Sequence, residues 1–366
     1  MRYFDHNASS PLCEAAREAW LRAQVEFPGN PSSPHRVGAR AEVAIQEARR
    51  ALALRMGCEA REIVFVSGAT EANNTIIAHL AGSSDGEAWV SSIEHPCVLA
   101  AVRRYFPGRY RLIPVSAQGV VELDWLAEGL RSKMPAFVGV MAANNETGVL
   151  QPWRAVHALC HDHGVPVFCD AAQWFGKLPA QGLGAIEFVS GCAHKFGGPQ
   201  GVGFLKAVKP VRPLLVGGPQ EDEQRAGTEN VAGILAMMAA LVDREGRGGQ
   251  GTERDRFEDM LLEGLPGVEI LGKGADRLWN TAAAVMPEID CRQRWVVKLD
   301  RLGIAASTGS ACASGKEAAS HVVRALGVPE GKAGRVLRFS SGWETGGRDW
   351  DALAEAVREA WRQLRP

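Results

Sequence analysis

The sequence predicts an α/β protein, with a large domain built on a mainly parallel seven-stranded sheet and a small α+β domain attached to it. Short apolar runs alternate with amphipathic helical patterns along most of the chain, which is typical of a parallel sheet covered by helices. Several of these runs are apolar at every position, as strands buried on both faces require. The length of 366 residues is also more than a single typical domain needs.

The predicted elements of the large domain follow from these patterns. Its strands are residues 62–66, 88–91, 111–114, 137–141, 165–169, 186–190 and 203–205. The helical period predicts helices at 39–56, 70–81, 96–105, 123–130 and 153–162. The longest apolar stretch, 231–242, is shorter than the roughly 17–25 residues of a membrane span and predicts a buried helix.

A second domain is predicted after residues 243–256, where glycine and charge are concentrated in the sequence DREGRGGQGTERDR. This composition indicates a solvated linker. The pattern around and beyond it predicts helix 252–262, strand 282–286, helix 291–302, strands 304–307 and 335–340, and helix 349–363. We therefore assign residues 15–245 to the large domain, and residues 1–14 together with 252–366 to the small one.

Charge and cysteine content limit the partners and the compartment. The 41 Lys and Arg residues against 42 Asp and Glu residues leave a formal net charge of −1. Nucleic acid and anionic membranes both require a basic excess, so we expect neither as the main partner. Eight cysteines are too few for a disulfide scaffold, and the sequence MRYFDHN at the start has no apolar core of a signal peptide. We expect a cytoplasmic protein.

Polar residues cluster where three predicted strands end, which is where open α/β sheets bind their ligands. The first strand is followed by SGATE, and the free N–H groups of a starting helix suit a phosphate there. Asp170 follows the second strand directly. Lys195 lies in a glycine-rich loop after the third, although lysines usually lie on exposed faces.

Each cluster alone has a purely structural explanation. Ser67 or Thr70 would cap a helix, Asp170 would stabilise a turn, and Lys195 would be an ordinary loop lysine. Together the three match the requirements of pyridoxal 5′-phosphate. A buried lysine amine forms a Schiff base with its aldehyde, a carboxylate pairs with its pyridinium nitrogen, and a helix N-terminus binds its phosphate. We therefore expect this cofactor.

Seven segments resemble, in the same order, those of the cysteine desulfurases, a branch of the class-V aminotransferase-like enzymes: SGATEANN, IEHPCVL, NNETGV, DAAQ, AHKFGGPQG, RAGTENV and STGSACAS. The resemblance covers nearly the whole chain. It implies the pyridoxal-phosphate-dependent transferase fold (fold type I) and a homodimer. It also implies a reaction that converts L-cysteine into L-alanine and leaves a persulfide on Cys312 for a protein acceptor.

The resemblance also implies a role for individual residues. Lys195 would hold the cofactor, and Lys195, His95 and Cys312 would be catalytic. Asp170 would pair with the pyridine nitrogen, and Arg338 would bind the substrate carboxylate. The other residues implied at the cofactor are Ala69, Thr70, His194 and Cys192 at the phosphate, Asn145 and Gln173 at the phenolic oxygen, His95 on the ring, and Thr228 at the phosphate of the neighbouring subunit.

Cys312 distinguishes this branch from its relatives. It lies in STGSACASG, a run of small residues that predicts a mobile loop. A thiolate there can attack the substrate sulfur, whereas the alternative is a small buried side chain. Another class-V activity, such as an aminotransferase or a selenocysteine lyase, stays open, as does a non-catalytic sulfur carrier or interaction protein. The acceptor is also open between an iron–sulfur scaffold, a tRNA-modification carrier and others.

Three features depart from the family pattern. Cys192 stands where a serine usually binds the phosphate, and a thiol is the weaker donor. The Asp170-to-Lys195 spacing of 25 residues is one shorter than expected, and residues 219–223, PQEDE, are unusually acidic. A separate group that resembles metal ligands completes no zinc motif, so we expect no metal; it consists of His157, Cys160, His161 and His163.

Overall fold

The computed structural model describes residues 1–288, 292–308 and 320–364. The strands are β1 (Arg2–Tyr3), β2 (Ile63–Val66), β3 (Ala88–Ser91), β4 (Tyr110–Ile113), β5 (Phe137–Gly139), β6 (Val167–Asp170), β7 (Phe188–Cys192), β8 (Gly203–Ala207), β9 (Glu269–Ile270), β10 (Thr281–Val285), β11 (Ile304–Ala305) and β12 (Val336–Ser340). The helices are α1 (Glu14–Glu26), α2 (Arg36–Met56), α3 (Ala69–Ala81), α4 (Pro96–Tyr105), α5 (Leu123–Ser132), α6 (Trp153–His161), α7 (Val231–Arg244), α8 (Thr252–Gly264), α9 (Arg292–Arg301), α10 (His321–Ala325), α11 (Glu330–Ala333) and α12 (Gly347–Leu364).

A seven-stranded sheet with the strand order β2-β8-β7-β6-β5-β3-β4 forms the centre of the fold. Strand β8 runs antiparallel to both of its neighbours, and the remaining pairs are parallel. The prediction of a mainly parallel seven-stranded sheet is therefore confirmed. Because β6 and β7 are adjacent and parallel, their carboxyl ends meet at one edge of the sheet, where ligands bind in open α/β folds.

Helices cover both faces of this sheet. Residues of α2, α6 and α7 form one core with it, and residues of α3 and α4 form a second core on the other face. Strands β2, β3 and β5 to β8 are buried at every position, which explains their mostly apolar sequences. Only the edge strand β4 carries exposed side chains along its length.

The C-terminal part has its own core. Strand β10 pairs antiparallel with β9 and β12, and helices α8, α9 and α12 pack against this small sheet. The N-terminus joins the same core, because Phe4 is fully buried there and β1 pairs with β11. The division into residues 15–245 and residues 1–14 with 252–366 stays a prediction.

The predicted elements differ from the observed ones mainly at their ends. The predicted strands 111–114 and 186–190 begin one and two residues away from β4 and β7. Helix α1 was not predicted, because it buries only the alanines Ala16, Ala19 and Ala23 and therefore has a weak apolar pattern. The two-residue strands β1 and β9 are too short to show a period. None of the described helices is long and apolar enough to cross a membrane.

Candidate active site

A cavity of about 480 Å³ lies beside the carboxyl ends of β6 and β7, the start of α3 and the N-terminal segment. Most of the predicted site residues converge on it, although they come from positions far apart in the chain. The predicted residues that line the cavity are Ala69, Thr70, His95, Asn145, Asp170, Gln173, Cys192, His194, Lys195 and Arg338.

The start of helix α3 forms one wall of the cavity. The N-cap of the helix is Gly68, so neither Ser67 nor Thr70 is the cap that the structural alternative required. Since glycine has no side chain with which to bind the first N–H groups of the helix, those groups and the positive end of the helix dipole suit an anion. A Cβ on Gly203 would lie 2.6 Å from the Cα of Gly68. Glycine at this position therefore lets β8 pack closely against the start of α3, the predicted phosphate cradle.

Asp170 is held at the end of β6 with its carboxylate facing this cavity. It is only 5% exposed. One carboxylate oxygen accepts a hydrogen bond from Asn73 Nδ2 at 2.8 Å and the other accepts one from the N–H of Ala172 at 2.9 Å. These two donors fix the orientation of the carboxylate at the cavity.

Lys195 follows β7 in a short 3₁₀ turn, Ala193–Lys195. Its Nζ donates to the carbonyl oxygens of Asn7 at 2.6 Å and Ala8 at 2.8 Å, both in the N-terminal segment. Burial is the main cause that lowers the pKa of this amine. A lysine whose pKa is lowered has a larger fraction of the neutral amine, which is the form that attacks a carbonyl carbon.

His95 caps helix α4 and lines the cavity beside Cys97. Its Nδ1 accepts a hydrogen bond from the backbone N–H of Cys97 at 3.3 Å and lies 3.0 Å from the Cys97 sulfur. Burial lowers the pKa of His95, which favours the neutral imidazole. Because a backbone N–H can only donate, Nδ1 is the acceptor nitrogen and the ring proton resides on Nε2.

Arg338 lies in the middle of β12 and is 1% exposed. One Nη donates to the carboxylate of Asp5 at 2.5 Å and the other to the carbonyl of Asn145 at 3.0 Å. Its Nε has no partner among the described residues. Arg338 also lines the cavity, and each Nη carries a second N–H beyond the one bonded here, which suits an incoming carboxylate.

The predicted phosphate residues Cys192 and His194 lie at the end of β7 and in the turn that follows it. Cys192 ends the strand at 2% exposure, and burial raises the pKa of its thiol to about 11. The backbone N–H of Ala69, at the start of α3, partly opposes this rise in the pKa. Burial lowers the pKa of His194 to about 4, and its Nδ1 lies 3.4 Å from the hydroxyl of Ser9. Both side chains therefore face the cradle in their neutral forms at neutral pH.

Among the described residues, one predicted site residue does not line this cavity. Thr228 lines a separate cleft of about 160 Å³, together with Ser67, Gly201 and Arg225. The prediction for Thr228 concerned the phosphate of a second subunit, so its place outside this chain's own cavity leaves that prediction open. Cys312 and its predicted mobile loop lie outside the described residues.

The acidic stretch has a structural explanation. Glu221, Asp222 and Glu223 adopt left-handed backbone angles, with φ of 49°, 53° and 65°. Glu221 stabilises this turn, because it forms a two-pronged ion pair with the buried Arg49 at 2.7 and 2.8 Å and accepts the N–H of Phe65 at 2.8 Å. The turn precedes Arg225 and Thr228, so these contacts determine where both residues lie.

Several residues of the site were missed in the sequence. Asn7 and Asp5 come from the start of the chain, and no local pattern indicates that the segment packs against Lys195. Lys177 lies behind Gln173 and is only 3% exposed. The one sequence feature that could have indicated its burial is its place within the mostly apolar run WFGKLP. Among the described residues, no group of three or more His, Cys, Asp or Glu side chains is arranged to hold a metal.

Comparisons with known proteins agree with this geometry. The family model for class-V aminotransferases matches residues 2–351. A cysteine desulfurase of Cereibacter sphaeroides is 38% identical, over 99% of this chain and 96% of the relative. The solved structure of a NifS-like protein covers 100% of both chains with a TM-score of 0.90 and 29% identity. A second structure, SspA in complex with cysteine, has a TM-score of 0.82 and 28% identity over 93% of this chain and 98% of its own.

Proposed function

The chain belongs to the class-V aminotransferase family, among its cysteine desulfurases. We propose that it removes the sulfur of L-cysteine, releases L-alanine and carries the sulfur as a persulfide on Cys312. One observation supports this proposal above the others. A half-buried lysine amine, a buried carboxylate and the start of a helix face the same cavity, at Lys195, Asp170 and Ala69. These three groups, in one place, are what pyridoxal phosphate requires.

The residues present fit this cofactor. Lys195 Nζ is bound by backbone carbonyls, without a described carboxylate within ion-pair distance, so it is available for a Schiff base. Asp170 would hold the ring nitrogen, the start of α3 the phosphate, and Gln173 and Asn145 the phenolic oxygen. When bound, pyridoxal phosphate withdraws electrons from the substrate's α-carbon and so weakens the bonds next to it.

Protons are assigned to particular atoms by the contacts described above. Lys195 Nζ, whose pKa is lowered by burial, is the base for the α-proton of L-cysteine. His95 keeps its proton on Nε2, because Nδ1 accepts the N–H of Cys97. Neutral His95 therefore presents a hydrogen-bond donor at Nε2, and the base for the α-proton is Lys195.

Arg338 provides the contact for the substrate carboxylate. Arg338 lines the cavity, and the pairing of one Nη with Asp5 holds the guanidinium plane there. A planar fork of this kind binds a carboxylate at two points and so orients the α-carbon toward Lys195.

The sulfur step is a displacement at the substrate sulfur. The thiolate of Cys312 forms an S–S bond, the C–S bond of the substrate breaks, and its electron pair is finally protonated at the carbon that becomes the methyl group of alanine. L-Cysteine and the Cys312 thiol thus give L-alanine and the Cys312 persulfide, with no external oxidant. A second thiol-containing protein takes up this sulfur, and the assembly of iron–sulfur clusters is a use consistent with it.

The proposal includes a cytoplasmic homodimer. The place of Thr228 in a cleft outside this chain's cavity is consistent with a contact to the phosphate of a partner's cofactor. A reducing cytoplasm suits a protein whose free thiols carry the chemistry.

The test is Cys312→Ser, assayed with L-cysteine for alanine formation and by mass spectrometry for persulfide. We expect turnover and the persulfide at position 312 to be lost. Cys58→Ser, at a half-buried thiol outside the cavity, is the matched control and should keep both. Undiminished alanine formation in Cys312→Ser would contradict the proposal, and if selenocysteine cleavage alone persisted, the selenocysteine lyase alternative would be favoured.

A further inference from the structure

Lys177 is a buried amine that the reaction described above does not use. It lies behind the cavity at 3% exposure. Its Nζ donates to Oδ1 of Asn7 at 2.9 Å and to Oε1 of Gln173. Among the residues that the structure describes, none offers a carboxylate within ion-pair distance of this nitrogen. A buried lysine without a counter-ion is unusual, because burying a lone charge is costly.

The surroundings favour the neutral amine. Burial lowers the pKa of Lys177 well below its usual value, and the positive charges of Lys195 and Arg338 lower it further, whereas Cys192 opposes them. A neutral amine has two N–H donors, and Lys177 has two oxygen acceptors. An ammonium group would carry a third donor, which the two described acceptors leave unmatched.

These two hydrogen bonds determine the orientation of the carboxamides of Gln173 and Asn7. Since Gln173 presents Oε1 to Lys177, its Nε2 faces away and donates one N–H to the carbonyl of Asn7 at 2.9 Å. The remaining N–H of Gln173 is then available on the side of the cavity, which Gln173 lines. If the carboxamide of Gln173 were flipped, its Nε2 donor group would face the N–H donors of Lys177.

Asn7 is oriented in the same way. Its Oδ1 accepts from Lys177, so its Nδ2 donates to the hydroxyl of Thr281 at 2.9 Å and to the carbonyl of Asn145 at 3.2 Å. The main-chain carbonyl of Asn7 accepts the amine of Lys195 at 2.6 Å. Asn7 therefore links Lys177 to the amine that would bind the cofactor.

The chain geometry brings the two lysines together. Gly176 has a φ of 73°, and a Cβ at this position would lie 2.5 Å from the Cβ of Phe196. Because Phe196 directly follows Lys195, glycine at 176 lets the segment that carries Lys177 pack against the loop that carries Lys195. Any larger residue would push the two segments apart.

We propose that Lys177 is a positioning residue, which acts through Gln173 and Asn7 to direct a carboxamide N–H into the cavity and to hold the amine of Lys195 in place. The inference rests on the proposed function, because the group that this N–H would meet is the phenolic oxygen of pyridoxal phosphate. A donor at that oxygen favours its anionic form.

The test uses Lys177→Met, which keeps the length of the side chain but removes both donors. The readout is the pKa of the bound pyridoxal phosphate chromophore, measured by absorbance against pH. We expect a rise of about one unit, since a bond to a charged group is lost or misdirected. Lys206→Met is the matched control, because Lys206 is a second fully buried lysine, bonded to the carbonyl of Ile186 away from the cavity. Its chromophore pKa should match that of the wild type.

A Lys177→Met variant that binds the cofactor with an unchanged chromophore pKa would overturn this inference but not the proposed function. A wild-type chain that forms no chromophore with pyridoxal phosphate would overturn the proposed function as well. If Lys177→Met does not fold, Lys177→Gln provides the second measurement, because it keeps an N–H donor on a shorter side chain. We then expect a smaller rise in the pKa, and no rise would count against the inference.

Discussion

The guanidinium of Arg338 and the carboxylate of Asp5 form a close ion pair at the cavity, with 2.5 Å between Nη2 and Oδ1, although the two residues are 333 positions apart. Asp5 follows β1 and Arg338 lies in β12, and these two parts of the chain meet only in the folded state. The pair positions Arg338 where a substrate carboxylate would be bound.

We expect Arg338→Lys to raise the KM for L-cysteine by about 10- to 100-fold, because an ammonium cannot bind a carboxylate at two points. Steady-state kinetics of alanine formation measure this change. Asp5→Asn, which keeps an acceptor for the guanidinium, should have a smaller effect on KM. A wild-type KM in Arg338→Lys would show that the substrate carboxylate binds elsewhere.

Cys192→Ser should bind pyridoxal phosphate about 3- to 10-fold more tightly than the wild type. The thiol is a weak hydrogen-bond donor beside the start of α3, and a hydroxyl there adds a bond to the phosphate. Absorbance titration of the cofactor-free chain measures the Kd. Pyridoxal, which lacks the phosphate, is the control ligand, and an equal gain for pyridoxal would place the effect elsewhere.

Glu94 should make the wild-type protein less stable as the pH rises. Burial, and then the charge of Asp170, raises the pKa of Glu94 to about 8. The unfolded chain releases this proton near pH 4.3, so between that pH and about 8 the native state holds a proton that the unfolded state does not. Stability therefore falls by up to about 1.4 kcal/mol per pH unit across this window.

Glu94→Gln removes this dependence, since its side chain resembles the protonated acid and can still accept the N–H of Met141. Urea unfolding at pH 5 and pH 8 should show the variant gaining stability over the wild type as the pH rises. The exposed Glu128→Gln should show the pH dependence of the wild type. A constant difference between Glu94→Gln and the wild type would contradict the assignment of the proton.

Glu221→Gln should lower the free energy of unfolding by about 3 kcal/mol, because it leaves the buried Arg49 without its counter-ion. Urea denaturation measures the loss. The control is Glu253→Gln, at an exposed pair with Arg256, where we expect less than about 1 kcal/mol. Similar small losses in both variants would show that the buried pair does not stabilise the left-handed turn.

Much of the fold and the site followed from local sequence. Strands buried on both faces are mostly apolar, and the groups that suit a phosphate-bearing cofactor lie at or shortly after the ends of strands, so Thr70, Asp170 and Lys195 could be proposed without a structure. Motif order identified the family and implied roles for the remaining residues, including Cys312, and those roles stay predictions. Element ends were less accurate, because a buried apolar sequence can continue beyond the end of a strand, as at residues 140–141 after β5.

The tertiary structure alone decided how these residues are held. The proton on Nε2 of His95 depends on the N–H of Cys97, and the orientation of Gln173 depends on Lys177, which only the packing of Gly176 against Phe196 brings near the cavity. Residues 1–14 carry no signal of their contact with Lys195, because a short N-terminal segment gains its position from partners hundreds of residues away. The chemistry is local and could be predicted from residue types, whereas hydrogen-bond direction and the protonation of buried groups depend on neighbours that only folding brings together.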